Sequence, residues 1–208
     1  MSNSILDKFE AIADGLATTG YAVHDQFLSQ EEVEAITALP HFTDALATFR
    51  KAGIGKNQSL QVNEAVRGDY IQWLDKVNAP APALVYLDRL NELRQYLNST
   101  LFLSLKDFEV HMTVYPIGSF YKRHLDQFRH DDHRRLSVIC YLNQSWTDEQ
   151  GGQLRMYLPE GEMDVLPEAG RLICFRSDRI EHEVLPSFRE RLSLTGWMLD
   201  QVADLRHL

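Results

Sequence analysis

The chain has 208 residues, of which 44% are apolar and 25% charged, a composition typical of a soluble globular domain with a full core. The formal net charge of −9 disfavours a general phosphate-binding surface, so we expect no nucleic-acid partner. We expect no membrane partner either, because no apolar run is long enough to cross a bilayer and the N-terminus has no export-type leader.

The two cysteines indicate the compartment. Cys140 and Cys174 each lie inside an apolar, strand-like run, and they lack the spacing of a CxxC motif. This context favours two buried thiols over a disulfide, which is typical of a reducing compartment. We therefore expect a cytoplasmic protein.

The N-terminal third is predicted to be largely helical. Apolar residues recur at helical spacing over 5–16 and stop at Gly20, which predicts a first helix followed by a short strand over 21–24. Ser29 precedes three polar first-turn residues and is the expected N-cap of a second helix, which reaches about Leu39.

A third helix is predicted to begin after Pro80 and Pro82, because five leucines then recur on neighbouring helical faces. Before it, residues 51–59 are rich in turn formers and poor in large apolar groups. This segment has two interpretations that the sequence leaves open. It is either a solvated loop or a mobile lid beside an active site, since long loops in compact domains are often functional.

From about residue 106 onward the apolar period changes to two, and six strands are predicted, over 108–115, 134–142, 153–158, 171–176, 183–185 and 191–199. Many short strands with frequent turns favour an antiparallel jelly roll. We therefore expect an α+β fold in one domain over 1–208. Helical support would occupy about 1–100, and a double-stranded β-helix core would occupy about 106–200.

A candidate metal site begins with His124 and Asp126, because residues two apart on an extended segment point the same way. His182, near the start of a later predicted strand, completes a set of two imidazoles and one carboxylate. Such a set leaves open positions on a metal, as in non-haem Fe(II) oxygenases. Alone, an HxD pair is more often a surface hydrogen bond, so the interpretation needs a further element.

The last predicted strand supplies that element. Strand alternation puts Arg191, Ser193, Thr195 and Trp197 on one face, opposite a continuous apolar face. The polar face either meets solvent or lines a barrel in which Arg191 forms a bidentate pair with a carboxylate and Ser193 adds a hydrogen bond. Trp197 favours the enclosed version, and the phenol of Tyr141 is a second donor of suitable chemistry.

Histidines at two other places in the chain are weaker candidates for metal ligands. The run His130-Asp131-Asp132-His133 lies in a polar loop and is interpreted as solvated. His111 lies on a strand among apolar neighbours and is interpreted as a core residue with a hydrogen-bond partner.

Over residues 66–200 the chain resembles the prolyl-hydroxylase-domain oxygenases, which include the animal hypoxia-inducible-factor prolyl hydroxylases and bacterial relatives. The matching motifs are VRGDYIQW at 66–73, YP at 115–116, YKRHLD at 121–126, YLN at 141–143 with Trp146, GGQLR at 151–155, SDR at 177–179 and HEV at 182–184, followed by Arg191 and Trp197. Between Tyr115 and His124 the chain is one residue shorter than the animal enzymes. The resemblance implies a double-stranded β-helix, which agrees with the strand pattern.

The resemblance also implies roles for individual residues. Fe(II) would be bound by His124, Asp126 and His182. The distal carboxylate of the cosubstrate 2-oxoglutarate would be held by Arg191 and Tyr141, and the pocket would be lined by Tyr115 and Leu154.

Substrate-binding roles follow from the same resemblance. Trp197 would lie beside the target proline. Near the substrate entrance we expect Arg67, Asp69, Tyr121 and Arg134. An Asp69–Arg134 pair would brace the segment 51–66, which corresponds to the substrate-covering loop of the family.

The implied activity is that of an Fe(II)- and 2-oxoglutarate-dependent dioxygenase that uses ascorbate as reductant and hydroxylates a prolyl residue of a protein. Elongation factor Tu is the candidate target if the chain is bacterial. Two alternatives stay open at this point. The chain is a small-molecule hydroxylase of the same mechanism, or a non-catalytic iron and 2-oxoglutarate sensor on the same barrel.

Overall fold

The computed structural model describes residues 4–53, 63, 65–77, 79–127 and 132–203. Within these ranges the helices are α1 (Ile5–Thr18), α2 (Gln30–Thr37), α3 (Pro40–Thr43), α4 (Ala45–Thr48) and α5 (Ala81–Leu101). The strands are β1 (Tyr21–His24), β2 (Arg50–Lys51), β3 (Tyr70–Leu74), β4 (Asp107–Tyr115), β5 (Tyr121–His124), β6 (Arg134–Tyr141), β7 (Leu154–Leu158), β8 (Gly161–Val165), β9 (Leu172–Arg176), β10 (Glu181–Val184) and β11 (Arg191–Leu199).

The first two helices begin where the sequence predicts, and each begins at a capping box. The Ser4 hydroxyl accepts a hydrogen bond from the backbone N–H of Asp7, whose carboxylate accepts one from the Ser4 N–H in return. Ser29 and Glu32 form the same reciprocal pair at the start of α2. Helix α2 ends slightly earlier than predicted, because Pro40 opens the separate short helix α3.

Helix α5 confirms the third predicted helix. Pro80 is its N-cap, and four leucines on its inner face are fully or almost fully buried, namely Leu87, Leu90, Leu93 and Leu97. These side chains share one apolar core with residues of α1, α2 and the larger sheet. The helices therefore cover one face of that sheet and support it from outside.

The described strands form two antiparallel sheets. The larger has the order β1-β9-β6-β11-β4-β3-β2, and the smaller has the order β5-β10-β7-β8. A second apolar cluster contains residues from both sheets, including Tyr141 and Leu154, so the two sheets face each other across it. This arrangement confirms the predicted α+β fold with a jelly-roll core.

Four strands were not predicted: β2, β3, β5 and β8. They are short or carry charged residues at positions where an apolar alternation would show, as in the sequence YKRH of β5. Strand β10 begins two residues before the predicted position, so His182 lies inside the strand rather than at its start. His124 is the last residue of β5, and Asp126 lies in the bend after it.

Two of the segments singled out in the sequence lie partly outside the described residues. Most of segment 51–66 and both His130 and Asp131 lie outside the described residues. Cys140 and Cys174 are buried and free, as predicted. Along the described helices, none combines the length and the apolar character that a membrane crossing requires.

The centre of β11 has no room for a side chain at Gly196. A Cβ atom built there would lie 2.3 Å from the Glu109 carbonyl oxygen of β4 and 2.8 Å from a Val110 methyl carbon. We therefore expect Gly196→Ala to force the two strands apart and to lower the free energy of unfolding by about 1–3 kcal/mol. Urea denaturation measures this change, and an unaltered midpoint would show that the strand spacing is more permissive than the structure indicates.

Candidate active site

The candidate metal site is built by the pairing of β5 with β10, which sets His182 directly opposite His124 in the antiparallel register. Asp126 follows two residues after His124 and turns its carboxylate between the two rings. The Nε2 atom of His124 lies 3.5 Å from Asp126 Oδ1, and Nε2 of His182 lies 3.5 Å from Asp126 Oδ2. The convergence predicted from the sequence is therefore present, although a bend rather than a continuous strand produces it.

Backbone carbonyls fix which nitrogen of each histidine faces the site. Nδ1 of His124 lies 2.6 Å from the Lys122 carbonyl oxygen, and Nδ1 of His182 lies 3.2 Å from that of Ile180. A carbonyl only accepts hydrogen bonds, so each Nδ1 carries the proton. Each Nε2 therefore has a free lone pair directed towards Asp126, which is the arrangement that metal-binding histidines adopt.

Burial and charge keep His182 and Asp126 in the form that binds metal. Burial lowers the pKa of His182 to about 4, so its imidazole is neutral at neutral pH. Burial alone would raise the pKa of Asp126, but the neighbouring histidines and a hydrogen bond from Ser137 outweigh it and hold the pKa of this carboxyl well below its ordinary value. A neutral imidazole from His182 and an ionised carboxylate from Asp126 are thus available to a cation.

The donor set fits Fe(II). Ligand atoms from His124, Asp126 and His182 all lie within 4.8 Å of one another, and among the described residues no other cluster of three such side chains reaches this geometry. Two histidines and one carboxylate that come from one side leave several coordination positions open. That is the donor set of non-haem iron oxygenases rather than of closed structural sites.

The apolar cluster between the sheets contacts both the triad, through Phe175 against His182, and a buried arginine, through Tyr115 and Tyr141. We call this region between the sheets the chamber. Arg191 is 1% exposed, and its Nε donates to the Gly152 carbonyl oxygen at 2.8 Å. Its Nη2 atom and the hydroxyl of Tyr141 are buried and lack a hydrogen-bond partner within the described part of the chain. Burial raises the pKa of Tyr141 to about 12, so its hydroxyl keeps its proton and is a donor.

These two orphaned donors fit a carboxylate. The guanidinium carbon of Arg191 lies 5.0 Å from the ring centroids of both Tyr115 and Tyr141, so the cation is held between two aromatic side chains. A buried cation and an adjacent unpaired hydroxyl are costly unless an anionic ligand accepts their hydrogen bonds. The polar face of β11 is therefore enclosed rather than solvent-facing, and the pairing of Arg191 with a carboxylate stays a prediction.

The structure brings the other expected cosubstrate residues to the same chamber. Leu154 packs in one apolar cluster with Tyr115 and Tyr141. Ser193 is fully buried beside them on β11, where its hydroxyl lies 3.1 Å from that of Thr195. The Arg191 guanidinium thus lies between Tyr115 of β4 and Tyr141 of β6, and Leu154 of β7 packs in the cluster of these two tyrosines.

At the other end of the polar face, the ion pairs differ from those predicted from the sequence. The pair expected between Asp69 and Arg134 is not formed. Arg134 instead donates to the Glu109 carboxylate at 2.8 and 2.6 Å, and its guanidinium lies 3.5 Å from the centroid of the Trp197 ring. Glu109 is opposite Trp197 in the β4–β11 register, which brings its carboxylate within reach of Arg134.

Asp69 has a nearer partner. Its two carboxylate oxygens accept hydrogen bonds from Nε and Nη2 of Arg67 at 2.7 and 2.5 Å, in a fork-shaped pair. The Arg67 guanidinium lies over the ring of Tyr121, which in turn stacks on the ring of His124 with centroids 3.6 Å apart. These residues therefore contact the candidate metal site, as well as the region expected to be the substrate entrance.

The sequence interpretation missed two residues beside this site, Glu109 and Ser137. Glu109 alternates with Tyr115 on β4, and Ser137 alternates with Tyr141 on β6. Alternation along each strand would have placed both on the inner face, once one member of each strand was assigned to it. His111 is buried and hydrogen-bonded as expected, with Nδ1 2.7 Å from the Thr113 hydroxyl.

The competing loop cluster does not approach the triad within the described residues. His133 pairs with Asp200, with Nδ1 2.7 Å from Oδ1. Asp132 is exposed.

Comparisons with known proteins agree with this geometry. Residues 110–199 match the model of the 2OG-Fe(II) oxygenase superfamily. The prolyl hydroxylase EGLN3 of Homo sapiens is 30% identical over an alignment that covers 92% of this chain and 83% of that protein.

Solved structures extend the likeness. A prolyl-4-hydroxylase of Pseudomonas putida is 42% identical with a TM-score of 0.83, over 93% of this chain and 100% of that one. A Trichoplax adhaerens prolyl hydroxylase, solved with a hypoxia-inducible-factor peptide fragment, is 27% identical with a TM-score of 0.80, over 92% of this chain and 89% of that one.

The fold and the site define an Fe(II)- and 2-oxoglutarate-dependent dioxygenase. The chain belongs to the 2OG-Fe(II) oxygenase superfamily and, within it, to the prolyl hydroxylases. The family assignment supports an enzyme over the non-catalytic sensor that the sequence alone left open.

Buried His111 makes the free energy of unfolding depend on pH. Burial lowers its pKa to about 3, below the value near 6.5 expected in the unfolded chain. Between these values the unfolded chain binds a proton that the folded chain does not, so the stability contribution of His111 falls as the pH falls from about 6.5 towards 3.

We expect His111→Gln, which cannot titrate there, to remove this loss. Between pH 7 and pH 5 the free energy of unfolding of the variant should fall less steeply than that of the natural protein. The difference should approach about 1.4 kcal/mol for each pH unit below about 6. Urea unfolding at several pH values measures it, and parallel curves would contradict the low pKa.

Proposed function

We propose that the chain is a peptidyl-prolyl 4-hydroxylase, one domain over 1–208, that acts on a protein in the cytoplasm. The observation that carries the proposal is the pair of orphaned donors, Arg191 Nη2 and the Tyr141 hydroxyl, in the same chamber as the His-Asp-His cluster. An iron site alone fits many proteins, whereas an iron site beside a buried carboxylate clamp fits a 2-oxo dicarboxylic acid.

In this proposal Fe(II) is held by His124, Asp126 and His182. Bound there, Fe(II) would supply an oxidation in which 2-oxoglutarate loses carbon dioxide and takes up one atom of dioxygen to become succinate, while the other oxygen atom enters a C–H bond of the substrate. Ascorbate would keep the iron reduced between turnovers. The protein contributes binding, orientation and exclusion of water.

The carboxylate clamp provides orientation. Arg191 neutralises the distal carboxylate of 2-oxoglutarate, and the Tyr141 hydroxyl donates a second hydrogen bond to it. Because both donors are buried, their attraction for the carboxylate is stronger than it would be in water. Tyr115, Leu154 and Ser193 shape the walls, so the 2-oxo acid end is directed towards the triad.

The substrate end of the site is proposed to lie at Trp197. Its indole is buried and covered by the Arg134 guanidinium, and Arg67 and Tyr121 border the metal from β5 and the segment before β3. Both flanking arginines are neutralised by paired carboxylates, Glu109 and Asp69. An uncharged prolyl ring suits such a surface better than a charged metabolite does.

Relatives support a protein substrate. The Trichoplax adhaerens prolyl hydroxylase was solved in complex with a peptide fragment of hypoxia-inducible factor. By family resemblance, elongation factor Tu is the candidate protein for a bacterial chain. By the same resemblance, segment 51–66 corresponds to the substrate-covering loop of the family, and most of it lies outside the described residues.

Substitution of the clamp arginine tests the cosubstrate site. Lysine keeps the charge of Arg191 but cannot donate at once to the Gly152 carbonyl and to a carboxylate in the same fork geometry. We expect Arg191→Lys to raise the KM for 2-oxoglutarate by about 10- to 100-fold, which corresponds to one lost charge-assisted hydrogen bond. Arg189→Lys, on the exposed turn before β11, is the matched control and should leave this KM unchanged. An unaltered KM in Arg191→Lys would contradict the clamp.

The activity is tested by incubating the protein with Fe(II), 2-oxoglutarate, ascorbate and purified elongation factor Tu of the same organism. We expect stoichiometric succinate and a gain of one oxygen atom on one prolyl residue, detected by mass spectrometry of the digested factor. Asp126→Ala should abolish both products. Succinate formed with free proline but not with the protein would favour the small-molecule hydroxylase, and no succinate with either would contradict the proposal.

A further inference from the structure

Two buried serines stand behind the candidate metal carboxylate. The Ser137 hydroxyl donates to Asp126 Oδ2 at 2.6 Å, and it lies 2.8 Å from the hydroxyl of Ser177. Both serines are almost completely buried, at 1% and 0% exposure. Ser137 lies on β6 and Ser177 directly follows β9, both in the larger sheet, whereas Asp126 follows β5 of the smaller sheet. The hydroxyl pair therefore bridges the two sheets behind the metal site.

Counting protons fixes the direction of this chain. The Asp126 carboxylate is ionised, so it accepts hydrogen bonds and does not donate. The one hydroxyl proton of Ser137 is therefore used towards Oδ2, and the contact between the serines must be donated by Ser177. The hydrogen bonds run from Ser177 to Ser137 to Asp126. The Ser177 hydroxyl therefore reaches the carboxylate only through Ser137.

Ser177 also holds the backbone beside the carboxylate. Its carbonyl oxygen accepts a hydrogen bond from the N–H of Gln127, the residue directly after Asp126, at 3.2 Å. Its own N–H donates to the Arg135 carbonyl at 3.2 Å. One residue thus fixes both the bend that carries Asp126 and the hydroxyl that orients its side chain.

We propose that Ser137 and Ser177 are positioning residues that make Asp126 a monodentate metal ligand through Oδ1. The Ser137 proton takes one lone pair of Oδ2, so Oδ1 is the less hindered oxygen for the cation. The two oxygens are otherwise placed alike, with Oδ1 3.5 Å from His124 Nε2 and Oδ2 3.5 Å from His182 Nε2. The inference rests on the metal site proposed above.

The consequence is a fixed number of open coordination positions. Two nitrogens and one oxygen leave three positions of an octahedral metal free, whereas a bidentate carboxylate would leave two. A 2-oxo acid that chelates the metal takes two positions, so a third is needed for dioxygen. The serine pair therefore acts on the ligand count as well as on the affinity for metal.

The probe is Mn(II), titrated into the metal-free protein while the signal of free Mn(II) is followed by electron paramagnetic resonance. We expect Ser137→Ala to weaken Mn(II) binding by about 10- to 100-fold, the usual effect of removing a hydrogen bond to a ligating side chain. Ser137→Thr keeps the hydroxyl and should bind within a few-fold of the natural protein. Ser187→Ala removes an equally buried serine hydroxyl in the connection between β10 and β11 and should leave the affinity unchanged.

The double variant tests the order of the chain. Ser177→Ala should weaken binding less than Ser137→Ala does, and it should have no further effect in the Ser137→Ala background. Equal Mn(II) affinity in the natural protein and Ser137→Ala would overturn the inference, as would independent, additive effects of the two serines. If Ser137→Ala fails to fold, Ser177→Ala decides, and an affinity equal to that of the natural protein would overturn the relay. Failure of the natural protein to bind Mn(II) would instead overturn the metal site itself.

Discussion

The antiparallel pairing of β5 with β10 places His182 opposite His124, and every other part of the candidate site is arranged around that pair. The two imidazoles can converge because the smaller sheet faces the larger one across an apolar chamber. Asp126 enters from the bend after β5 and is held there by Ser137, which belongs to the opposite sheet. The metal site is thus a product of sheet packing, and loosening the contact between the sheets would disperse its ligands.

The chamber combines apolar walls with a few buried charges, and its three arginines differ in their partners. Arg134 pairs with Glu109 and Arg67 with Asp69, so the substrate end carries little net charge. Arg191 differs, because one of its donors is buried and unpaired among the described residues. A buried cation without an anion is expensive, and this cost is offset when an anionic ligand binds. The difference between these arginines separates the cosubstrate end from the substrate end.

Much of this could be read from the sequence. Alternation along β11 placed Arg191 and Trp197 on one enclosed face, and leucine spacing located α5. The short strand β5 could not be found, because its sequence YKRH has no apolar alternation and its conformation depends on pairing with β10. The choice of Glu109 over Asp69 as the partner of Arg134 was equally hidden, since the β4–β11 register decides it. Ion-pair partners depend on tertiary geometry, whereas strand faces depend on local periodicity.

The most direct measurement is a crystal structure of the protein grown without oxygen in the presence of Mn(II) and 2-oxoglutarate. We expect the metal to be bonded to Nε2 of His124, Nε2 of His182 and Oδ1 of Asp126. We also expect the distal carboxylate of 2-oxoglutarate to accept hydrogen bonds from Arg191 Nη2 and the Tyr141 hydroxyl. A metal bound elsewhere, or a 2-oxoglutarate molecule whose carboxylate leaves Arg191 and Tyr141 unpaired, would contradict this arrangement.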